Sequence, residues 1–390
     1  MGSGEPMAFD FDQIHDRTGS DSSKWGRYAG RDVLPMWVAD SEFMAPPAVL
    51  AALQQRVAHG LFGYGRPSAA LTSAIRRWCA ARYQWQPEGA SVVYLPGLVP
   101  ALHLVVRALA PADLPVLVPT PVYPPFFEAV KAAGRTIQPL PLSHVDGRWQ
   151  LLPQVVERAI SGRGQLLLFC NPHNPTGTVY HPDELAALAQ LAADHDLLVC
   201  SDEIHCDLLL EPGLRHQPFA AISDDAARRS IVLMAPSKSF NLAGLGCAWA
   251  LIAEPKLRSR FKNAMHGLLP SPNLLGLVAA EAALNEGGDW LDQQCRYLQA
   301  NSQQVAALWQ RFGLSHSQPQ ATYLSWVDLR GVGLGDPAAW FEQHGVGLSD
   351  GAPFGAPGHL RLNFGCSRMQ LAEGLARCAT ALEQAGVIAP

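Results

Sequence analysis

Ser230-Ile231-Val232-Leu233-Met234-Ala235-Pro236-Ser237-Lys238-Ser239-Phe240-Asn241 reads as a buried strand that ends in a lysine. The exit, Ala243-Gly244-Leu245-Gly246, is glycine-rich. A lysine at the carboxyl end of such a strand is desolvated. Desolvation disfavours the ammonium form and makes the amine a Schiff-base candidate. An isolated Ser-Lys is more simply a surface turn, so the reading depends on whether the rest of the chain supplies partners.

The surrounding rhythm supports the strand. The pattern predicts strands over 91–95, 115–118, 165–170, 197–201, 230–234 and 247–252. Helices over 99–109, 125–133 and 182–195 alternate with them. Short, nearly all-apolar strands alternating with helices indicate a mostly parallel sheet covered on both faces. Ligands of such sheets bind beyond the strand carboxyl ends. Before this region, Pro46 and Pro47 open a helix to about 57, and a second runs from 68 to 83. After 272 the helices lengthen (274–285, 290–312, 369–384), with alternating strands over 323–329 and 359–364. Three units are expected: 1–45, a segment packing with the small domain; 46–272, the large domain; 273–390, a smaller α+β domain.

The chain has 390 residues, 48% of them hydrophobic, and a formal charge of −5. That composition allows a large core, and the absence of a basic run argues against nucleic acid or an anionic membrane as partner. No apolar run reaches a membrane span. Residues 1–7 lack an apolar signal-peptide core and read as an added leader, with a natural start near Met7. Eight scattered cysteines form no CxxC pair. They read as reduced, buried thiols of a cytoplasmic protein rather than disulfide or metal ligands.

Several strand ends carry chemistry-bearing residues. Asp202 follows the strand at 197–201, where a carboxylate can hold a proton on a ring nitrogen; its bland alternative is a turn or helix cap. Glu203 reads as a solvated or supporting acid, and His205 as lining the site or merely packing. Asn171-Pro172-His173-Asn174-Pro175-Thr176-Gly177 repeats Asn-Pro, which stiffens the loop and aims the Asn174 amide. Gly97 and Leu98 sit where a strand enters a helix, a junction whose free amides suit phosphate. Tyr123, pinned among prolines, can stack on a planar cofactor or pack in the core. Arg361 alternates with Leu360 and Leu362, and an inward arginine needs an anion. The anion is a substrate carboxylate or a structural acid.

Together these motifs resemble the fold type I pyridoxal-5′-phosphate (PLP) enzymes of the class I/II aminotransferase superfamily. Pro35-Met36-Trp37-Val38-Ala39-Asp40 with His59-Gly60-Leu61-Phe62-Gly63-Tyr64 resembles their C–S lyase branch, the MalY/PatB-like cystathionine β-lyases. The resemblance implies an aspartate aminotransferase-like α/β fold, with a seven-stranded, mostly parallel sheet plus a smaller α+β domain. It implies PLP as cofactor and β-elimination from cystathionine or related cysteine S-conjugates. An aminotransferase and a PLP-holding scaffold without turnover are the alternatives. Lys238 matches the Schiff-base lysine and Asp202 the partner of the pyridine nitrogen. Asn174 matches the amide to the ring 3-oxygen, Tyr123 the stacking ring, and Gly97, Leu98 and Ser237 the phosphate loop. Arg361 matches the carboxylate clamp, with Ala39, Asn174 and Tyr64 also facing substrate. Tyr64 matches a tyrosine that reaches the neighbouring subunit's phosphate, which implies a homodimer with shared sites.

Two departures stand out. The lyase branch continues Ala-Asp with Met-Asp-Phe, and here it is Ser41-Glu42-Phe43. Aspartate aminotransferases carry a phosphate-binding arginine shortly after the lysine. Ala243 to Cys247 has none, leaving amides, hydroxyls and Tyr64, or another base, to hold the phosphate.

Overall fold

A computed structural model describes residues 9–145 and 147–388. Its centre is a seven-stranded sheet. The strands are β1 (Val92–Leu95), β2 (Val116–Thr120), β3 (Ile137–Pro141), β4 (Leu166–Cys170), β5 (Leu198–Asp202), β6 (Ser230–Met234) and β7 (Ala248–Leu251). Their spatial order is β1-β7-β6-β5-β4-β2-β3. β7 is antiparallel to both neighbours, and the other pairings are parallel. Every residue of β4 and β6 is buried. That is why these strands read as unbroken apolar runs rather than alternating ones.

The helices form as their ends dictate. α1 (Pro47–His59) starts on proline and ends at Gly60, whose φ is +75°. α2 (Ala69–Tyr83) is capped by Ser68, whose Oγ accepts the Leu71 N–H at 2.8 Å. Such a cap contributes about 1 kcal/mol. α3 (Leu98–Leu109) buries seven residues against the sheet, α4 (Pro125–Ala132) packs beside it, and α5 (Pro182–Asp194) covers the opposite face. Further on, α6 (Leu274–Glu286) packs against both α1 and α2. The final α8 (Arg368–Gln384) packs against the 24-residue α7 (Gly288–Arg311), and α7 covers a three-stranded antiparallel sheet. Its strands are β8 (Leu324–Asp328), β9 (Ser349–Asp350) and β10 (His359–Asn363), in the order β8-β10-β9. β10 is buried on both faces.

The sequence pattern missed several elements, two of them instructive. β3 carries Pro139 and Pro141, which argue against a strand, yet β3 is an edge that pairs only with β2. The helix Pro255–Met265 buries only Leu257 and Phe261, so it lacks a broad apolar stripe. Of the two readings of Glu203, solvated or supporting acid, the structure takes the second. Glu203 is buried, accepts from Ser201 Oγ (2.8 Å) and Phe219 N (2.9 Å), and pairs with His216 Nε2 at 2.7 Å.

The N-terminal strap runs between the three-stranded sheet and the lysine turn. Leu34 and Pro35 pair with Val346 and Gly347; the Asn363 N–H reaches Met36 O and the Glu42 N–H reaches Gly365 O. Glu42, the longer acid of the departure noted above, explains itself here. Its carboxylate meets Lys24 Nζ at 2.5 Å and Arg17 at 3.2 Å, and accepts the Trp25 indole N–H at 3.2 Å. Lys24 is 2% exposed, so removing its partner strands a buried cation. We expect Glu42→Ala to destabilise the protein by about 3–5 kcal/mol, read as a lowered urea midpoint. Replacing both members of the pair by Lys24→Met and Glu42→Leu recovers most of it. An unchanged midpoint in Glu42→Ala would show that the pair does not fix the strap.

Candidate active site

The carboxyl ends of β1, β2, β4, β5 and β6 converge on one cavity of about 260 Å³, which β10 closes from the small sheet. Lys238 stands in a short helical turn immediately after β6. Ser239 Oγ donates to Asp207 at 2.8 Å, and Gln294 Nε2 donates to Ser239 O at 3.0 Å, so the turn is pinned from two sides. The Lys238 amine donates to Ala39 O at 2.5 Å, and Tyr323 Oη donates to the same carbonyl at 3.2 Å. Burial lowers the Lys238 pKa to about 8 against an attractive pull from Asp40, and Arg361 lowers it further. The depressed value brings a neutral fraction of the amine within reach near physiological pH and makes the neutral form dominant above about pH 8, as a nucleophile or base requires.

Asp202 is the last residue of β5 and is 4% exposed. Its Oδ1 accepts the Ile204 N–H at 3.1 Å. Burial raises its pKa to about 7, with Glu203 adding to the rise, so its surroundings lack a cation strong enough to hold it ionised. His205 also lines the cavity. It lies edge-on to Tyr323 at 6.3 Å, its Nδ1 has no partner, and burial pushes its pKa well below the usual range.

The Asn-Pro loop is fixed by its neighbours. His173 Nε2 lies 2.7 Å from Pro121 O, with burial keeping the ring neutral. Gly177 has φ +71°, and a Cβ there would sit 2.3 Å from Pro319 Cβ. Its carbonyl accepts the N–H groups of Gln320 and Ala321 at 3.0 and 3.1 Å, tying the loop to the segment that leads into β8. Asn174 Oδ1 accepts Arg361 Nη1 at 2.9 Å, which leaves the Asn174 Nδ2 donor for a ligand. Arg361 Nη2 donates to Trp37 O at 3.0 Å, and its Nε is buried without a partner. Burial lowers Arg361 to about 10, so it stays charged at neutral pH. Asp202 lines the same cavity, but among the described residues no carboxylate lies within ion-pair distance of Arg361, which leaves a buried charge poised for an anion.

The remaining expected residues divide. Tyr123, Ala39, Gly97, Leu98 and Ser237 line the cavity. Gly97 caps α3 without a side-chain bond, so the helix N–H groups face the cavity free. Among the described residues no basic side chain beyond Lys238, His205 and Arg361 lines it. Tyr64 is not there. It is fully exposed, on an irregular stretch with exposed Leu61 and Phe62. Sequence reasoning passed over Tyr323 and Trp37 as site residues. Trp37 lay within a quoted motif, but its contribution is a carbonyl, which no side-chain pattern reveals.

The class I and II aminotransferase family model matches residues 31–377. The chain belongs to this family. Cystathionine beta-lyase PatB of Bacillus subtilis is 36% identical, covering 95% of this chain and 99% of that protein. Among solved structures, OvoB is 49% identical with a TM-score of 0.93, covering 96% of this chain and 99% of its own. Cystalysin of Treponema denticola, which contains PLP, is 31% identical with a TM-score of 0.92, covering 97% and 100%.

The family is PLP-dependent, and the residues present fit that cofactor. Its ring nitrogen is a cation that suits a buried Asp202 otherwise raised to about 7. Its phosphate suits the uncapped N-terminus of α3 beside Ser237. Its aldehyde suits the depressed Lys238 amine.

Proposed function

We propose that this chain is a PLP-dependent C–S lyase that cleaves cystathionine or related cysteine S-conjugates to a thiol, pyruvate and ammonia. The observation that carries the reading is the 36% identity to a cystathionine β-lyase across 95% of the chain, with Lys238, Asp202 and Arg361 gathered in one cavity. When bound, PLP supplies an electron sink for the substrate Cα. Asp202 would hold a proton at the ring nitrogen, Asn174 Nδ2 would donate to the ring oxygen, and Tyr123 would cover the ring. The free amides of Gly97 and Leu98, with the Ser237 hydroxyl, would hold the phosphate; His205 would pack beside the ring.

Arg361 binds the substrate α-carboxylate and sets the Cα–H bond toward Lys238. The Lys238 amine, neutral above about pH 8, takes that proton. A positioned base contributes about 10²–10⁴-fold. The C–S bond at Cβ then breaks with its electrons going to sulfur, and addition of water completes pyruvate and ammonia.

The reading extends to a homodimer in the cytoplasm, built on a large unit over 46–272, a small one over 273–390 and the strap before them. The exposed run Leu61, Phe62 and Tyr64 suits a subunit contact. Tyr64, outside its own cavity, would serve the neighbour's phosphate and substrate. Eight free thiols suit a reducing compartment. Among the described residues no helix is long and apolar enough to cross a membrane.

The test is pyruvate release from cystathionine by the holoenzyme, run beside a keto-acid acceptor assay. Pyruvate in excess of transamination is expected. Amino transfer without pyruvate would replace the lyase with an aminotransferase.

A further inference from the structure

The cavity does not end at Arg361. A second hollow of about 740 Å³ adjoins it and shares Val38, Tyr123 and Arg361 with the first. A substrate held at Arg361 by its α-carboxylate therefore has a larger space open beside its side chain.

Trp37 lines the second hollow and holds the arginine that both hollows share. Its carbonyl accepts Arg361 Nη2 at 3.0 Å. Its indole carries a second guanidinium, that of Arg27, 4.8 Å from the ring centroid. The indole is itself fixed, because Nε1 donates to Lys24 O at 3.1 Å. One residue thus sets the spacing between two guanidinium groups, one at each end of the route out of the cavity.

The neighbouring charges are already engaged. Arg31 pairs with Glu342 at 2.8 Å. Asp336 and Asp350 accept the N–H groups of Ala339 and Ala352 at 2.9 and 3.1 Å. Arg27 differs. Among the described residues it contacts the Tyr28 and Trp37 rings, and no carboxylate lies within ion-pair distance. A stacked guanidinium is oriented in advance and keeps its edge N–H donors for a planar, bidentate acceptor.

We propose that the second hollow receives the substituent on the substrate's sulfur, and that Arg27 selects substituents ending in a carboxylate. The inference rests on the lyase reading for turnover, but its binding half stands apart from it. The favoured substrates then carry an anion at both ends, one for Arg361 and one for Arg27. A neutral S-alkyl cysteine meets only the first.

The experiment uses a matched pair, S-carboxyethyl-cysteine and its neutral isostere S-carbamoylethyl-cysteine, with the PLP-loaded enzyme. A charge-assisted hydrogen bond to carboxylate predicts a preference for the acid of about tenfold or more in kcat/KM, expressed mainly in KM. Arg27→Ala removes the preference while leaving turnover of the amide within about twofold. Arg27→Lys keeps the charge, loses the bidentate fork, and retains part of the preference. Wild-type indifference to the pair, an acid preference that survives Arg27→Ala, or an equal loss on both compounds would overturn the proposal and leave Arg27 a solvated surface cation. If neither compound is cleaved, the cystathionine assay decides the lyase reading, and calorimetric affinities of the same pair decide this one. Tighter binding of the acid that Arg27→Ala abolishes supports it; equal binding sinks it.

Discussion

Lys238→Ala is expected to lower pyruvate release by about 10²–10⁴-fold or more, the contribution of a positioned proton-transfer group alone. The same amine also binds the cofactor in the proposed reading, so the real loss lies at or beyond the upper end. The fold should survive, because what is removed is a cavity-facing amine whose hydrogen bond goes to the Ala39 carbonyl. That carbonyl keeps the Tyr323 hydroxyl as donor. The measurement is a steady-state pyruvate assay with circular dichroism as the folding control. A small primary amine such as methylamine should restore part of the rate to Lys238→Ala, because it replaces the missing base in a preserved cavity. Turnover retained without added amine would remove Lys238 from the mechanism.

Asp202→Asn separates function from stability, with opposite signs. Activity of the holoenzyme should fall by about 10²–10³-fold, the range for removing a preorganised electrostatic partner. The cofactor-free protein should become more stable. In the unfolded chain the carboxyl titrates near 3.8, and in the folded protein burial raises it to about 7. Over that window the folded state holds a proton that the unfolded state has lost, so wild-type stability falls as pH rises and the loss is complete above about 7. Asparagine has no such titration. The variant's advantage should be absent below pH 4, grow through the window and level off above it, with a ceiling of about 4 kcal/mol. Lys238 contributes in the other direction at higher pH. Its folded value of about 8 against 10.5 makes both proteins gain stability as pH rises between those values. Urea midpoints of the cofactor-free proteins across this range are the check. A pH-independent difference between them would mean that Asp202 is not a buried, uncompensated acid. A carboxylate retained at such a cost in the empty protein is what a cation-bearing ligand at that position would require.

The sheet was legible because its information is local. Six of the seven strands read correctly because continuous apolar runs have few other fates in a chain of alternating helices. The seventh, β3, was lost because edge position decides whether prolines are tolerated, and no residue announces that it lies at an edge. Likewise, Glu203 stayed open between a solvated and a supporting acid because its partner His216 lies thirteen residues away in sequence.

The candidate residues were legible for a related reason. Lys238, Asn174 and Gly97 each follow a strand and Asp202 ends one, and parallel strands place such positions on one edge. Sequence alone therefore determined the strand-end chemistry and the type of sheet that presents it. Tertiary structure decided what that chemistry faces. It carried the Ala39 and Trp37 carbonyls to Lys238 and Arg361 from a strap some two hundred residues or more distant. It left Tyr64 outside its own cavity, and it set Arg27 on the Trp37 ring. Main-chain acceptors, burial and the distance between two charges depend on long-range packing. Residue identity and local periodicity carry no record of them.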